Sequence, residues 1–339
     1  MALLAVLALA LAAGAGYAGG RWATRDRLAT RAGTAAPATT TTPVSAPPGP
    51  VSGTAVEPVE AVARAVGPAV VQVQTPDGLG SGFIYDASGL LLTAAHVTGG
   101  VATVQVRLAD GRSFTGRVLG EDQATDVAVV RIPAQRLPLA TLGVGAPVQV
   151  GQMAVAIGSP FGLDQTVTSG IVSAVGRPVQ TPGGAIPMIQ TDAPINPGNS
   201  GGALVDRKGR VIGLNDAIAN AGSGGNVGVG FAVPIDTAAQ VAKDLVAGRQ
   251  PVNAYLGVTP ADTSGGGAGA LVVDVAPGSP AATAGLKRGD VVTAVDGRTI
   301  NGAVDLVATI RGRRPGETVE LRLADGRTLT ATLAKSPTR

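Results

Sequence analysis

The 339-residue chain is 45% hydrophobic but only 2% aromatic and carries 50 glycines and 24 prolines. It is long enough for about two domains, and a Val/Ala/Leu/Ile core cut by many turns favours β structure over helix bundles. The formal charge of +3 is accounted for by Arg21, Arg25, Arg27 and Arg31 against Asp26, which leaves no basic face for nucleic acid, and zero cysteines with one histidine exclude disulfides, a thiol nucleophile and zinc-cysteine sites, so neither metal nor cofactor is expected.

Residues 2–20, ALLAVLALALAAGAGYAGG, are uncharged and about as long as a membrane-crossing helix. Residues 1–20 therefore read as a transmembrane anchor, or as a cleaved signal segment whose apolar core is Leu3 to Ala13; a buried soluble helix is the plain alternative. The arginines follow the span, which by the positive-inside rule would keep the rest in the cytoplasm. Residues 21–55 read as a flexible linker, since Gly33 to Thr54 is uncharged, rich in Pro, Thr and Ala, and has little to pack.

Residues 56–249 form the first expected domain. Its runs, among them AVVQVQ, GSGFIYD, LLLTAAHV, DVAVVRI, VQVGQMAVAIG and RVIGLNDAI, make roughly a dozen strands at hairpin spacing, as in an antiparallel barrel or sandwich. IDTAAQVAKDLVAG, 235–248, places Ile235, Ala238, Ala239, Ala242, Leu245 and Val246 on one helix face, with Asp236 as its cap. Residues 252–335 form a compact second domain. In it Ser279 caps a short helix that begins at Pro280, GAVDLVATIRG is helical, and TVELRLADGRTLTATL is a hairpin.

The only histidine, His96, ends the apolar run LLLTAAHV. Far downstream, TDAPINPGNSGGALV sets Ser200 after Gly198 and directly before Gly201 and Gly202. Glycine lets a backbone turn neighbouring amides toward one developing oxyanion, although such a flank also suits an ordinary tight turn. The pattern G-x-S-x-G fits 198–202, but an α/β-hydrolase elbow needs a helix after the serine and a histidine downstream, and neither is present. The order His96, then Asp126 in QATDVAVVRI, then Ser200 is that of the β-barrel serine proteases. The bland alternative for His96 is a structural histidine in a strand.

TAAHV, TDVAVV and GNSGG, together with AIGSPFGL, VTSGIVSAVGR, GLNDAIA and GVGFAVP, resemble the HtrA/Deg branch of the trypsin-like serine proteases. YLGV at 255–258 and GLKRGDVVTAVDG at 285–297 resemble a PDZ domain, so the resemblance covers roughly residues 60 to 335. It implies a mainly β fold: a trypsin-like double six-stranded antiparallel β-barrel, then a small αβ PDZ domain, behind an N-terminal membrane helix or signal segment. It implies Ser200 as nucleophile, His96 as general base and then acid, and Asp126 as orienter. The amides of Gly198 and Ser200 should form the oxyanion hole, shaped by Asn199.

The same resemblance implies a specificity pocket lined by Ile195 and Ile218, with Asn215, Asp216 and Ala217 in its wall. That pocket has no acid at its base and suits small aliphatic residues. Asp216 stands where relatives often have a small neutral residue, and the loop 177–187, RPVQTPGGAIP, is a glycine-rich version of the family's regulatory loop. Tyr255, Leu256, Gly257 and Val258 should hold a peptide's C-terminal carboxylate, with helix 303–311 as the groove's far wall. The family further implies an ATP-independent endopeptidase of envelope quality control acting on unfolded proteins, a homotrimer, and an extracytoplasmic location, either membrane-tethered or secreted if residues 1–20 are cleaved. A peptide-binding chaperone or adaptor that cleaves rarely or never is the alternative on this fold.

Overall fold

A computed structural model describes residues 57–159, 165–181, 184–196, 198–218, 228–264 and 267–337. The anchor or signal segment expected at 1–20 and the linker to 55 lie outside the described residues. Among the described residues no helix is long and apolar enough to cross a membrane.

Helix α1 (Pro58–Val66) starts on a proline, whose missing amide costs nothing in a first turn, and buries Val62 and Val66. Six strands follow: β1 (Val70–Gln74), β2 (Leu79–Asp86), β3 (Leu90–Ala94), β4 (Thr103–Arg107), β5 (Ser113–Asp122) and β6 (Val127–Arg131). They close into an antiparallel barrel in the order β1-β2-β3-β6-β5-β4. Strand β3 is buried along its whole length, which is why LLLTA shows no alternation. Its register against β6 pairs Ala94 with Val127. The short helix α2 (Ala95–Thr98) that carries His96 therefore begins beside the residue just before β6, which is Asp126.

The second barrel uses β8 (Met153–Gly158), β9 (Thr166–Thr181), β10 (Gly184–Thr191), β11 (Ala203–Asp206), β12 (Arg210–Ile218) and β13 (Gly230–Pro234). A β11–β12 pairing closes it, and β7 (Thr141–Leu142) adds to β12 in parallel. The mainly β, double-barrel expectation is thus met. The segment 177–187 is less a loop than a hairpin: Thr181 pairs with Gly184 and Pro178 with Pro187, so antiparallel pairing runs almost to the tip.

Helix α3 (Ile235–Val246) ends this half, burying Ile235, Ala238, Val241, Ala242 and Leu245. Its N-cap is Pro234, and Asp236 lies in the first turn, where its carboxylate accepts the Gly145 amide at 2.8 Å. Val246, expected on the apolar face, is 38% exposed and Val241 takes the inner position.

Beyond it stand β14 (Ala254–Tyr255), β15 (Val258–Asp262), β16 (Ala270–Val275), β17 (Val291–Val295), β18 (Arg298–Thr299), β19 (Thr318–Leu323), β20 (Thr328–Thr332) and β21 (Ala334–Lys335), with helices α4 (Pro280–Thr283) and α5 (Ala303–Arg311). The main sheet runs β15-β16-β17-β19-β20, leaving β15 at an edge, and a separate core gathers around Leu306, Val319 and Leu321. Ser279 caps α4 as read from the sequence, accepting the Ala282 amide at 3.2 Å.

Candidate active site

Asp126 is buried with a left-handed backbone, φ 55°, a conformation Asp tolerates better than most residues. That twist lets one residue serve the start of α2 three times. Its carbonyl accepts the Ala95 amide at 3.1 Å, Oδ1 accepts the His96 amide at 2.8 Å, and Oδ2 lies 2.5 Å from His96 Nδ1. The carboxylate side chain is 10% exposed and the imidazole 49%, so the ring is pinned on its inner edge and open on its outer one. With the Nδ1 proton engaged by a carboxylate, Nε2 is left as the acceptor. The hydrogen bond to Asp126 raises the His96 pKa above its usual value, burial opposes it, and the charges of Asp126 and Asp216 add to the rise.

Ser200 sits in the turn entering β11, strapped to the first barrel by Ser81. The Ser81 amide donates to the Ser200 carbonyl at 2.8 Å, and its hydroxyl donates to the Gly198 carbonyl at 2.5 Å while accepting the Ser159 amide at 2.8 Å. The next residue must be glycine: Gly201 has φ 81°, and a Cβ there would lie 2.2 Å from the Ser81 carbonyl oxygen. The amides of Gly198 and Ser200 donate to no acceptor among the described residues, whereas the Asn199 amide is spent on Asn196. Asn199 itself is 2% exposed and shapes the turn from inside.

The Ser200 hydroxyl donates to the backbone carbonyl of Asp216 at 2.8 Å and not to His96. Strand β12 brings Asp216 here because the Gly201 amide donates to the Asn215 carbonyl at 2.7 Å and the Asn215 amide donates to the Gly202 carbonyl at 2.9 Å. The Asp216 carboxyl reaches within 3.9 Å of His96 Nδ1 and is hydrogen-bonded to Asp126. Burial first, and the Asp126 charge second, push its pKa up to about 8, so it is protonated at neutral pH. His96, Asp126 and Asp216 offer donor atoms all within 4.8 Å of one another.

In the C-terminal unit, a groove of about 660 Å³ is lined by Tyr255, Leu256, Gly257 and Val258 on one side and by Leu306, Val307 and Ile310 of α5 on the other. The amides of Leu256 and Gly257 donate to nothing among the described residues. Gly257 has φ 87°, and a Cβ would stand 2.2 Å from the Ser279 Cβ, so only glycine fits. Pro260, on the edge strand β15, also lines the groove, and the β15–β16 register slips between Thr259 and Pro260.

The trypsin-like peptidase domain family matches residues 80–214, and the PDZ domain family matches residues 254–334. HhoA of Synechocystis sp. is 43% identical over 272 residues, 74% of this chain and 68% of that protein. Serine protease PepD of Mycobacterium tuberculosis is 42% identical over 311 residues, 82% of this chain and 66% of its own length. The chain belongs to the HtrA/Deg family of trypsin-like serine proteases. Among solved structures, the HtrA-type protease AlgW with tripeptide superposes with a TM-score of 0.66 at 37% identity, over 83% of this chain and 98% of that one. A Halomonas elongata relative that carries the name periplasmic serine endoprotease, DegP-like, is 44% identical over 76% of this chain, which spans only 57% of that relative.

Within this HtrA/Deg protease the residues expected to form the specificity pocket occupy different settings. Ile195 is wholly buried in the second barrel's core, against Gly230. Asn215 is also buried; its Nδ2 donates to the Ala203 carbonyl at 3.1 Å, and its Oδ1 has no partner among the described residues. Asp216 turns its carboxyl to His96 and Asp126. The side chains of Ala217 and Ile218 lie outside the described residues. Ser81, in the sequence only a glycine-flanked serine, is shown by its burial and its bonds to Gly198 and Ser200 to be part of the site.

Proposed function

We propose that this HtrA/Deg enzyme is an ATP-independent endopeptidase in which Ser200 is the nucleophile, His96 the general base and then acid, and Asp126 the orienter. The observation that carries the reading is the His96–Asp126 pair, with Ser200 held on the carbonyl of Asp216, whose carboxyl reaches the same imidazole. On rotation of the Ser200 hydroxyl from the Asp216 carbonyl toward Nε2, the imidazole takes its proton as Oγ attacks a peptide carbonyl. The unspent Gly198 and Ser200 amides would then receive the oxyanion. His96 next protonates the leaving amine, and water releases the acyl group by the reverse sequence.

Ile195, Asn215, Ala217 and Ile218 are proposed to border a pocket for small aliphatic residues. Tyr255 to Val258 would hold peptide C-termini, as befits a relative solved with a tripeptide. Unfolded envelope proteins as substrates, a homotrimer, and a location outside the cytoplasm with residues 2–20 as tether or cleaved signal complete the proposal; a relative named periplasmic supports the location.

The test is digestion of unfolded casein, with fluorophosphonate labelling, by the wild type and by Ser200→Ala. Loss of cleavage by about three to six orders of magnitude and loss of the label are expected. The turned-away Ser200 hydroxyl favours the second reading, a chaperone or adaptor, which gains if the wild type binds casein but neither cleaves nor labels.

A further inference from the structure

We infer that Asp216 is a positioning residue of the catalytic site, a second carboxyl behind the imidazole that shares a proton with Asp126 and thereby governs when His96 is a free base. The inference rests on the proposed roles of His96 and Ser200. It was not legible in the sequence, where Asp216 read as part of a specificity pocket.

The argument begins with contacts. Asp216 touches all three proposed catalytic groups: its carbonyl accepts from Ser200 at 2.8 Å, its carboxyl is hydrogen-bonded to Asp126, and that same carboxyl stands 3.9 Å from His96 Nδ1. Its side chain is only 7% exposed, so its charge cannot be dissipated in water. The titratable groups that act on it are Asp126, from the turn before β6, and His96, on α2; among the described residues no other acts on it from its own strand or from β11 and β13 beside it.

Two buried carboxyls at hydrogen-bonding distance hold one proton between them more easily than two negative charges. While Asp216 keeps that proton, it donates to Asp126 and leaves a single negative charge facing the imidazole. When it loses the proton, the second charge favours imidazolium, which cannot act as a base. Each group's proton therefore depends on the other's, and His96 and Asp216 release protons in steps that belong to the pair. At any given pH the fraction of neutral His96 is smaller with Asp216 than with a neutral isostere in its place, and the rise to full neutrality extends up to the range where the Asp216 carboxyl itself titrates, about 8. An active site built this way comes on gradually through mildly alkaline pH.

His96 is the only histidine in the chain, so one imidazole resonance in the untagged, full-length protein reports its titration with no assignment problem. The experiment is an NMR pH titration of His96 in the wild type, Asp216→Asn and Asp216→Ala, paired with pH profiles of kcat/KM on a peptide with a small aliphatic residue before the scissile bond. Asp216→Asn keeps the volume and a donor to Asp126 but removes the charge. It is expected to sharpen the titration to one step and remove the upper one, raising the neutral-to-charged ratio of His96 by up to about tenfold at and above the pH where the Asp216 carboxyl titrates, about 8, with the alkaline rise of kcat/KM moving alike. Asp216→Ala should remove the upper step similarly and also reduce the plateau, because Asp126 loses its partner. Superimposable titrations for wild type and Asp216→Asn would overturn the inference, as would variants that lose plateau activity or melting temperature with an unchanged titration. Failure of the wild type to cleave or to label sinks the proposed function instead, and the NMR titration separates the two.

Discussion

Asp126 carries more than its charge. An Asp in left-handed backbone, with one oxygen on a main-chain amide and the other on the imidazole, can be replaced by Asn at little structural cost, since Asn also accepts that backbone. The amide would present the wrong partner to Nδ1 and favour the wrong tautomer. Asp126→Asn should therefore lower kcat by about 10³ to 10⁴ with an almost unchanged melting temperature. Asp216 has a different signature. Unfolded, it releases its proton near the ordinary 3.8; folded, near about 8. Between those values the folded protein holds the extra proton, so this group's contribution makes stability fall as pH climbs from about 4 to about 8. Melting temperatures measured across that range should decline less steeply for Asp216→Asn than for the wild type; parallel curves would refute the assignment. At this scale the sequence was readable where residue order alone carries the chemistry, as for His96, Asp126 and Ser200. It marked Asp216 as unusual but gave it a place in the pocket wall, because only the pairing of β11 with β12 turns that carboxyl toward a histidine over a hundred positions earlier.

Among the elements, the strand β2 joins the two halves of the site. Ser81 fastens the nucleophile turn with one hydroxyl bond, to the Gly198 carbonyl, and one amide bond, to the Ser200 carbonyl, while its hydroxyl also accepts the Ser159 amide and its carbonyl accepts the Thr93 hydroxyl at 2.6 Å. Ser81→Ala leaves the Ser159 amide and the Gly198 carbonyl without that partner. Denaturant titration should show a loss of about 1 to 3 kcal/mol, and kcat should fall while casein binding persists, because the turn loosens without the substrate-binding surface being removed. Strand number and hairpin order were readable from apolar runs and glycine punctuation. Cap and boundary details were not: Asp236 looks like a cap in a one-dimensional string, but its carboxylate is taken by the Gly145 amide, which only the folded chain brings near.

Across the whole molecule, a cleaving unit and a peptide groove share one chain, and Arg298 beside the second core donates to the Gly176 carbonyl of β9 at 2.6 Å. The groove can be disabled by itself. Gly257→Ala puts a methyl group into Ser279 at a backbone angle alanine resists, so binding of a fluorescent peptide with a free C-terminus, followed by anisotropy, should weaken about tenfold or more. Fluorophosphonate labelling of Ser200 without peptide should be unaffected.

Pro260 sets a limit on what such a groove can read. An added strand finds an unbroken row of backbone partners along β15 only as far as Thr259, after which the register slips and a residue with no amide follows. Under the proposed peptide-binding role, the same interruption that would hinder two copies from zipping together along this open border would also shorten the legible message to a ligand's last few residues, so that chains differing everywhere else but alike at their tails would be handled as one kind.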